Sequence, residues 1–310
     1  MVRHFLSIDD LTSGELDEVL ELSGKFKASP DDPAGSLRGK SVALILEKPS
    51  TRTRVSFEVA VAELGGHPVV LSSQELQLGR GETIEDTGRV LSRYVDVIAV
   101  RTFEQERLEA LAAVASVPVI NMLSDFEHPC QCLADLLTVR ERKGDLPGLV
   151  MTYLGDGNNV AHSLLLGGAK NGMIVRVAAP PGYEPIPQVV QRAGEIARET
   201  GGGVEVTSDP AAAADGADVL YTDVWASMGQ EAEADARTLV FPAFRLDDAA
   251  VARAKDDVLV LHCLPAHRGQ EITDDVIDGP HAAVWDQAEN RLHTQKALLA
   301  WLLSTGGSGG

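Results

Sequence analysis

The run Glu47-Lys48-Pro49-Ser50-Thr51-Arg52-Thr53-Arg54 places hydroxyl and guanidinium groups directly after a short apolar stretch and at the start of a helical pattern. A helix N-terminus carries unpaired backbone N–H groups and the positive end of the helix dipole, so it favours an anion. The hydroxyls of Ser50, Thr51 and Thr53 add donors, and the planar fork of Arg52 suits phosphate oxygens. A serine cap followed by arginines on a solvated face would give the same pattern. Arg101 and His128 follow two further apolar runs, at the strand ends where open α/β sheets place ligands. Taken singly, Arg101 also fits a surface position and His128 a capping or core histidine. A third cluster, His262-Cys263-Leu264-Pro265-Ala266-His267-Arg268-Gly269, brings a thiol between imidazoles after another apolar run.

Strands and helices must alternate to position these groups. Val-, Ile- and Leu-rich runs predict strands at Ser41–Leu46, Pro68–Leu71, Asp96–Val100 and Pro118–Asn121, with helices at Arg52–Leu64, Ile84–Arg93, Phe103–Val114 and Pro129–Lys143. The break Lys143-Gly144-Asp145-Leu146-Pro147-Gly148 ends the first half. Strands then follow at Leu149–Leu154, Ile174–Ala178, Val204–Thr207, Val219–Asp223, Val258–His262 and Ala283–Trp285, and Ala211–Ala214 fits a helix turn. The pattern is α/β, two open parallel-sheet domains: 1–143 and 144–288. The helical stretch Arg291–Leu303 sets Leu292, Leu298, Leu299, Leu302 and Leu303 mostly on one face, and a helix over 289–304 is expected to pack back on the first domain. The glycine-rich tail, 305–310, has a flexible composition.

A chain of 310 residues, 44% hydrophobic, can bury two cores. A formal charge of -19 argues against nucleic acid and anionic membranes as partners, so phosphate-binding arginines must be concentrated locally. The three cysteines, Cys130, Cys132 and Cys263, are too few for a disulfide framework and point to a reducing, cytoplasmic compartment. No run approaches the length of a membrane span.

Ser50-Thr51-Arg52-Thr53-Arg54, His128-Pro129-Cys130-Gln131 and the His262–Gly269 segment, in that order, resemble the carbamoyltransferases. The first motif is shared with aspartate carbamoyltransferases, while Asp223-Val224-Trp225-Ala226-Ser227-Met228-Gly229 and His-Cys-Leu-Pro look like the ornithine enzymes. The resemblance runs from about Phe5 to Leu303. It implies carbamoyl transfer from carbamoyl phosphate to L-ornithine, giving L-citrulline and phosphate, with arginine biosynthesis as the setting. It also implies a carbamoyl phosphate domain and an ornithine domain joined by two helices. A homotrimer, or a multiple of one, with sites at subunit interfaces is expected, and neither a cofactor nor a metal.

By the same resemblance, Ser50, Thr51, Arg52, Thr53 and Arg101 take the phosphate, and Thr53, Arg101 and His128 surround the carbonyl oxygen, where negative charge builds up. Gln131 and the backbone carbonyls of Cys263 and Leu264 suit the carbamoyl NH2, which offers only donors. Arg291 contacts the same substrate, and Gln77 reaches it from the adjacent subunit. Asn159, Ser227 and Met228 orient the amino-acid end of ornithine, and Asp223 and Cys263 handle its side-chain amine. That amine must lose a proton before attack, since an ammonium has no lone pair.

Other chemistries leave weaker traces. Gly155-Asp156-Gly157 after a strand is part of a dinucleotide fingerprint, but Val160 stands where its third glycine belongs. A cysteine hydrolase using Cys263 with His262 or His267 gives the arginine-rich anion site no purpose. Zinc on Cys130, Cys132 and His128 lacks the usual paired spacing. A binding module without catalysis needs no thiol or carboxylate, and an aspartate-type acceptor calls for extra cations around Asp223.

Overall fold

Runs of Val, Ile and Leu too continuous to leave one face in water form parallel strands covered by helices. The computed structural model describes residues 2–29, 35–72, 81–226 and 234–305. By contacts the chain divides into two units, Met1–Ala134 with Glu289–Gly310, and Asp135–Ala288.

In the first unit, α1 (Ser13–Ala28) precedes β1 (Ser41–Leu46), α2 (Thr51–Glu63), β2 (His67–Ser72), α3 (Ile84–Leu91), β3 (Val97–Arg101), α4 (Gln105–Val114) and β4 (Val119–Leu123). α5 (Pro129–Lys143) begins in this unit and ends in the second. The sheet order is β2-β1-β3-β4, all parallel. The chain therefore leaves β1 for one neighbour and later returns to its other side, so the order reverses between β1 and β3. α1 starts on a capping box, in which Thr12 and Glu15 exchange side-chain and backbone bonds, and buries Leu16, Val19, Leu20 and Phe26. Ile45, Ile98, Val100, Leu108, Leu111 and Val119 form a core beside the sheet.

The second unit runs β5 (Val150–Leu154), α6 (Asn159–Lys170), β6 (Ile174–Ala178), α7 (Pro187–Thr200), β7 (Gly203–Thr207), α8 (Pro210–Ala214), β8 (Val219–Thr222), α9 (Ala234–Val240), α10 (Asp248–Val251), β9 (Leu259–His262) and α11 (Asp274–Ile277). Its parallel order, β7-β6-β5-β8-β9, reverses between β5 and β8. α12 (Val284–Thr305) then begins here and continues into the first unit. There Lys296 bonds Glu63 at 2.8 Å and the Trp301 indole donates to Glu18 at 3.0 Å, with Leu298, Leu299 and Leu302 buried.

One expected strand is absent. Ala283–Trp285 contributes only an edge contact, with Ala283 N–H bonded to the Val260 carbonyl, before α12 takes over at Val284. Three apolar residues fit either element, and the following periodicity wins.

Gly157 marks a close approach of backbones. A Cβ there would lie 2.2 Å from the nitrogen of Pro185 and 2.4 Å from the carbonyl carbon of Glu184, whereas one at Gly194, inside α7, meets nothing within 4 Å. Gly157→Ala should therefore cost about 1–3 kcal/mol by overpacking. Gly194→Ala should be neutral or stabilise by roughly 0.5–1 kcal/mol through helix propensity. Urea denaturation midpoints of the two variants test the contrast.

Candidate active site

The loops after β1 and β3 meet where the first sheet reverses its order, the place where open α/β sheets bind ligands. Register puts Arg101 level with Leu46, and the Glu47 N–H bonds the Arg101 carbonyl at 2.9 Å, so Arg101 stands beside the segment leading into α2. Ser50 caps α2 by accepting from the Thr53 N–H at 3.3 Å. Its hydroxyl also donates to Thr53 Oγ1 at 3.0 Å, and Arg291 donates to the same oxygen at 2.8 Å. Thr53 is fully buried, whereas Thr51 and Arg52 are exposed at the helix tip. His128 and Gln131, at the start of α5, are buried together with Arg101 and Arg291.

Burial, followed by the charges of Arg291 and Arg101, holds the His128 imidazole well below its ordinary 6.5. At neutral pH it is uncharged and keeps one N–H to donate. Burial pushes the neighbouring Cys130 thiol up to about 12, and that thiol donates to the Asn121 carbonyl. It is a structural thiol. Sequence reasoning omits Lys48 from this site. Lys48 is buried, pairs with Asp125 and lies 4.2 Å over the Phe103 ring, adding a third buried cation to Arg101 and Arg291.

The second unit builds a cluster of opposite polarity where its own sheet reverses. After β8, Asp223 accepts from the Cys263 thiol through Oδ1 at 2.9 Å and from Asn158 Nδ2 through Oδ2 at 2.9 Å. Asn158 also caps α6, its Oδ1 accepting from the N–H groups of Val160 and Ala161. The cap therefore does two jobs, starting the helix and holding the carboxylate. Asn159 is the first residue of α6, directly after that cap. Buried Arg237, missed from sequence, donates to Asp156 and to the Trp225 carbonyl, each at 2.7 Å, and lies 4.9 Å over the Tyr183 ring. It ties together the two loops that carry Asn158 and Asp223.

Cys263 and Leu264 follow β9. Leu264 has a left-handed φ of 55°, a conformation that costs a non-glycine residue about 1–3 kcal/mol. Its N–H donates to His262 Nδ1 at 2.9 Å, and His262 Nε2 faces buried Glu271 at 3.2 Å. With Nδ1 accepting, the proton sits on Nε2 and donates to the carboxylate. His262 is thus engaged through both nitrogens. The Cys263 thiol donates to Asp223, and the nearby His262 has both nitrogens engaged elsewhere, so this pair is not arranged as a thiol and its base.

The dinucleotide reading also lapses, because Gly157 serves the approach to Glu184 and Pro185 and the α6 N-terminus is capped by Asn158. Asp223, His262 and Cys263 offer ligand atoms within 4.8 Å of one another, the one group among the described residues compact enough for a cation. The expected residues Gln77, Ser227 and Met228 lie outside the described residues.

Residues 3–141 match the carbamoyl-P binding domain of the aspartate/ornithine carbamoyltransferases, and residues 147–302 match the Asp/Orn binding domain. The chain belongs to this family. Its similarity extends to enzymes named for ornithine. The ornithine carbamoyltransferase of Parafrankia sp. is 63% identical over 304 residues, covering 97% of this chain and 96% of its own. The enzyme of Pyrococcus furiosus named as anabolic is 55% identical over 303 residues, with 97% and 96% covered. A solved ornithine carbamoyltransferase structure from Pyrococcus furiosus superposes with a TM-score of 0.94 at 55% identity, covering 97% of each chain.

The His128 environment has a consequence for acid stability. The folded chain holds this imidazole neutral while the unfolded chain protonates it near 6.5, so the unfolded state binds the extra proton and stability falls as pH drops below that value. Urea midpoints measured from about pH 7.5 down to about pH 5.5 should fall less steeply in His128→Gln than in the unaltered protein. Parallel slopes would remove His128 from the account of acid sensitivity.

Proposed function

We propose that this chain is an ornithine carbamoyltransferase working in arginine biosynthesis, forming L-citrulline and phosphate from carbamoyl phosphate and L-ornithine. The observation that carries the acceptor is the contact of the Cys263 thiol with Asp223, whose other oxygen is held by Asn158. A carboxylate attracts an ammonium, can take its proton and repels a dicarboxylate, and the thiol bonded to it adds no cation that a dicarboxylate would need. The high identity to enzymes named for ornithine, one of them named as anabolic, supports the same substrate and direction.

Ser50, Thr51, Arg52, Thr53 and Arg101 hold the phosphate, where backbone N–H groups, hydroxyls and guanidinium groups converge on a dianion. Thr53, Arg101 and the neutral imidazole of His128 donate to the carbamoyl oxygen, and Arg291, already bonded to Thr53, adds positive potential. Donors preorganised in this way are each worth roughly 3 kcal/mol as the oxygen gains charge. Gln131 and the carbonyls of Cys263 and Leu264 accept from the carbamoyl NH2. Asn159, Ser227 and Met228 orient the amino-acid end of ornithine.

Asp223, to which the Cys263 thiol is bonded, takes a proton from the δ-ammonium and frees its lone pair. The nitrogen attacks the carbamoyl carbon and a C–N bond forms. The C–O bond to phosphate then breaks, its electron pair leaving on the phosphate oxygen, and the second proton of the nitrogen passes to the departing phosphate.

The reading extends to a cytoplasmic homotrimer, or a multiple of trimers, in which Gln77 of each subunit serves its neighbour's carbamoyl phosphate. The acidic composition speaks against nucleic acid, and no helix among the described residues is long and apolar enough to cross a membrane.

Arg52→Ala should weaken carbamoyl phosphate binding at least about tenfold, the loss expected for a charge-assisted bond, without changing the fold, since the side chain is exposed. Calorimetric titration showing near-normal binding would overturn the phosphate assignment. Cys263→Ala should lower kcat and raise the ornithine KM in steady-state assays. Unchanged kinetics would reduce Cys263 to its backbone carbonyl.

A further inference from the structure

β9 is the edge strand of the second sheet, and its outer side is finished in an unusual way. The Val260 N–H bonds the His281 carbonyl and the Val260 carbonyl accepts from the Ala283 N–H, each through the segment that leads into α12. The next outward donor, the His262 N–H, has no backbone partner in that segment because the helix has begun. The Gln287 side chain takes it instead, with Oε1 2.9 Å from the His262 nitrogen. Its amide nitrogen donates to Asp135 Oδ1 at 2.7 Å and to the Tyr221 hydroxyl at 3.1 Å, and that hydroxyl donates to Asp135 Oδ2 at 3.2 Å. Asp135, Tyr221 and Gln287 are all buried. Burial and the Asp135 charge keep the Tyr221 phenol well above its ordinary 10, so it remains a donor.

This arrangement demands an amide at position 287. One atom must accept from the His262 N–H while the other donates to a buried carboxylate, and only a side chain with both functions satisfies both. The constrained nitrogen belongs to the residue just before Cys263. We propose that Gln287 is a positioning residue for the reaction, fixing the carboxyl end of β9 so that the Cys263 thiol meets Asp223 and the Leu264 backbone is held in place. The proposal rests on the reading above, in which Cys263 and Asp223 handle the amine. Gln287 touches neither substrate and acts through His262.

Gln287→Glu keeps the acceptor for His262 but sets a second carboxylate against Asp135, and two buried carboxylates at that distance cannot both ionise. Asp135→Asn combined with Gln287→Glu reverses donor and acceptor between the two positions and preserves the net charge and the oxygen on the His262 N–H. Gln287→Met keeps length and the Tyr221–Asp135 bond while removing the His262 contact.

Citrulline formation at saturating carbamoyl phosphate is measured alongside calorimetric binding of that substrate and the thermal midpoint. Small misplacements of reacting groups have large rate effects, so Gln287→Glu and Gln287→Met are expected to lose about tenfold or more in kcat. Their carbamoyl phosphate affinity should fall much less than kcat, because the groups assigned to the phosphate, Ser50–Thr53 and Arg101, are untouched and only the Cys263 and Leu264 carbonyls are disturbed. The double variant should recover to within about threefold of the unaltered enzyme, the signature of a coupled pair. Either a folded Gln287→Met with unaltered kcat, or a double variant no faster than Gln287→Glu, overturns the proposal. If Gln287→Glu does not fold, Gln287→Met and the double variant still decide. Absence of citrulline from the unaltered protein would instead refute the assigned reaction.

Discussion

A parallel sheet whose strand order reverses opens a crevice at its carboxyl edge, because the two loops on either side of the reversal leave in opposite directions. This chain meets that constraint twice. In the first sheet it separates the loops after β1 and β3, which carry Ser50–Thr53 and Arg101. In the second it separates the loops after β5 and β8, which carry Asn158 and Asp223. Cys263 follows β9, next to β8, and its thiol closes on Asp223. The chemistry of each unit depends on this topology, since residues far apart in sequence are gathered only at those edges.

The two crevices differ in electrical character. Within a chain of charge -19, the first concentrates Arg101, Arg291 and Lys48 in buried positions with Arg52 exposed at the helix tip. Burial, followed by the charges of Arg291 and Arg101, keeps His128 neutral, so it offers an N–H and adds no further charge there. The second crevice presents a carboxylate and a thiol. On the proposed reading, donor and acceptor substrates are distinguished by polarity: a dianion suits the first crevice and an ammonium the second.

Much of this is legible in the sequence, because strands buried on both faces leave continuous apolar runs and a phosphate-type helix start leaves hydroxyls and arginine at fixed offsets. The losses have physical causes. Ala283–Trp285 is apolar enough for a strand, and only the longer helical period beyond it decides otherwise. Asn158 and Asn159 are adjacent and chemically alike, yet one residue of helix phase turns one toward Asp223 and makes the other the first turn. Arg237 and Gln287 act through buried bonds to residues distant in sequence, Asp156 and Asp135 among them, and carry no local pattern. α1 has a readable capping box in Thr12 and Glu15, but its apolar stripe is thin and interrupted by Ser23, so its periodicity is weak.

The central claim is that a carbamoyl group passes from phosphate to an amine selected by Asp223 and Cys263. The most direct measurement is the rate of carbamoyl transfer from carbamoyl phosphate to ornithine, putrescine, acetylornithine and aspartate, offered separately and in competition, with the carbamoylated products separated and counted. The account predicts citrulline from ornithine as the dominant product, with the other acceptors used poorly. Preferential carbamoylation of aspartate or acetylornithine would contradict it.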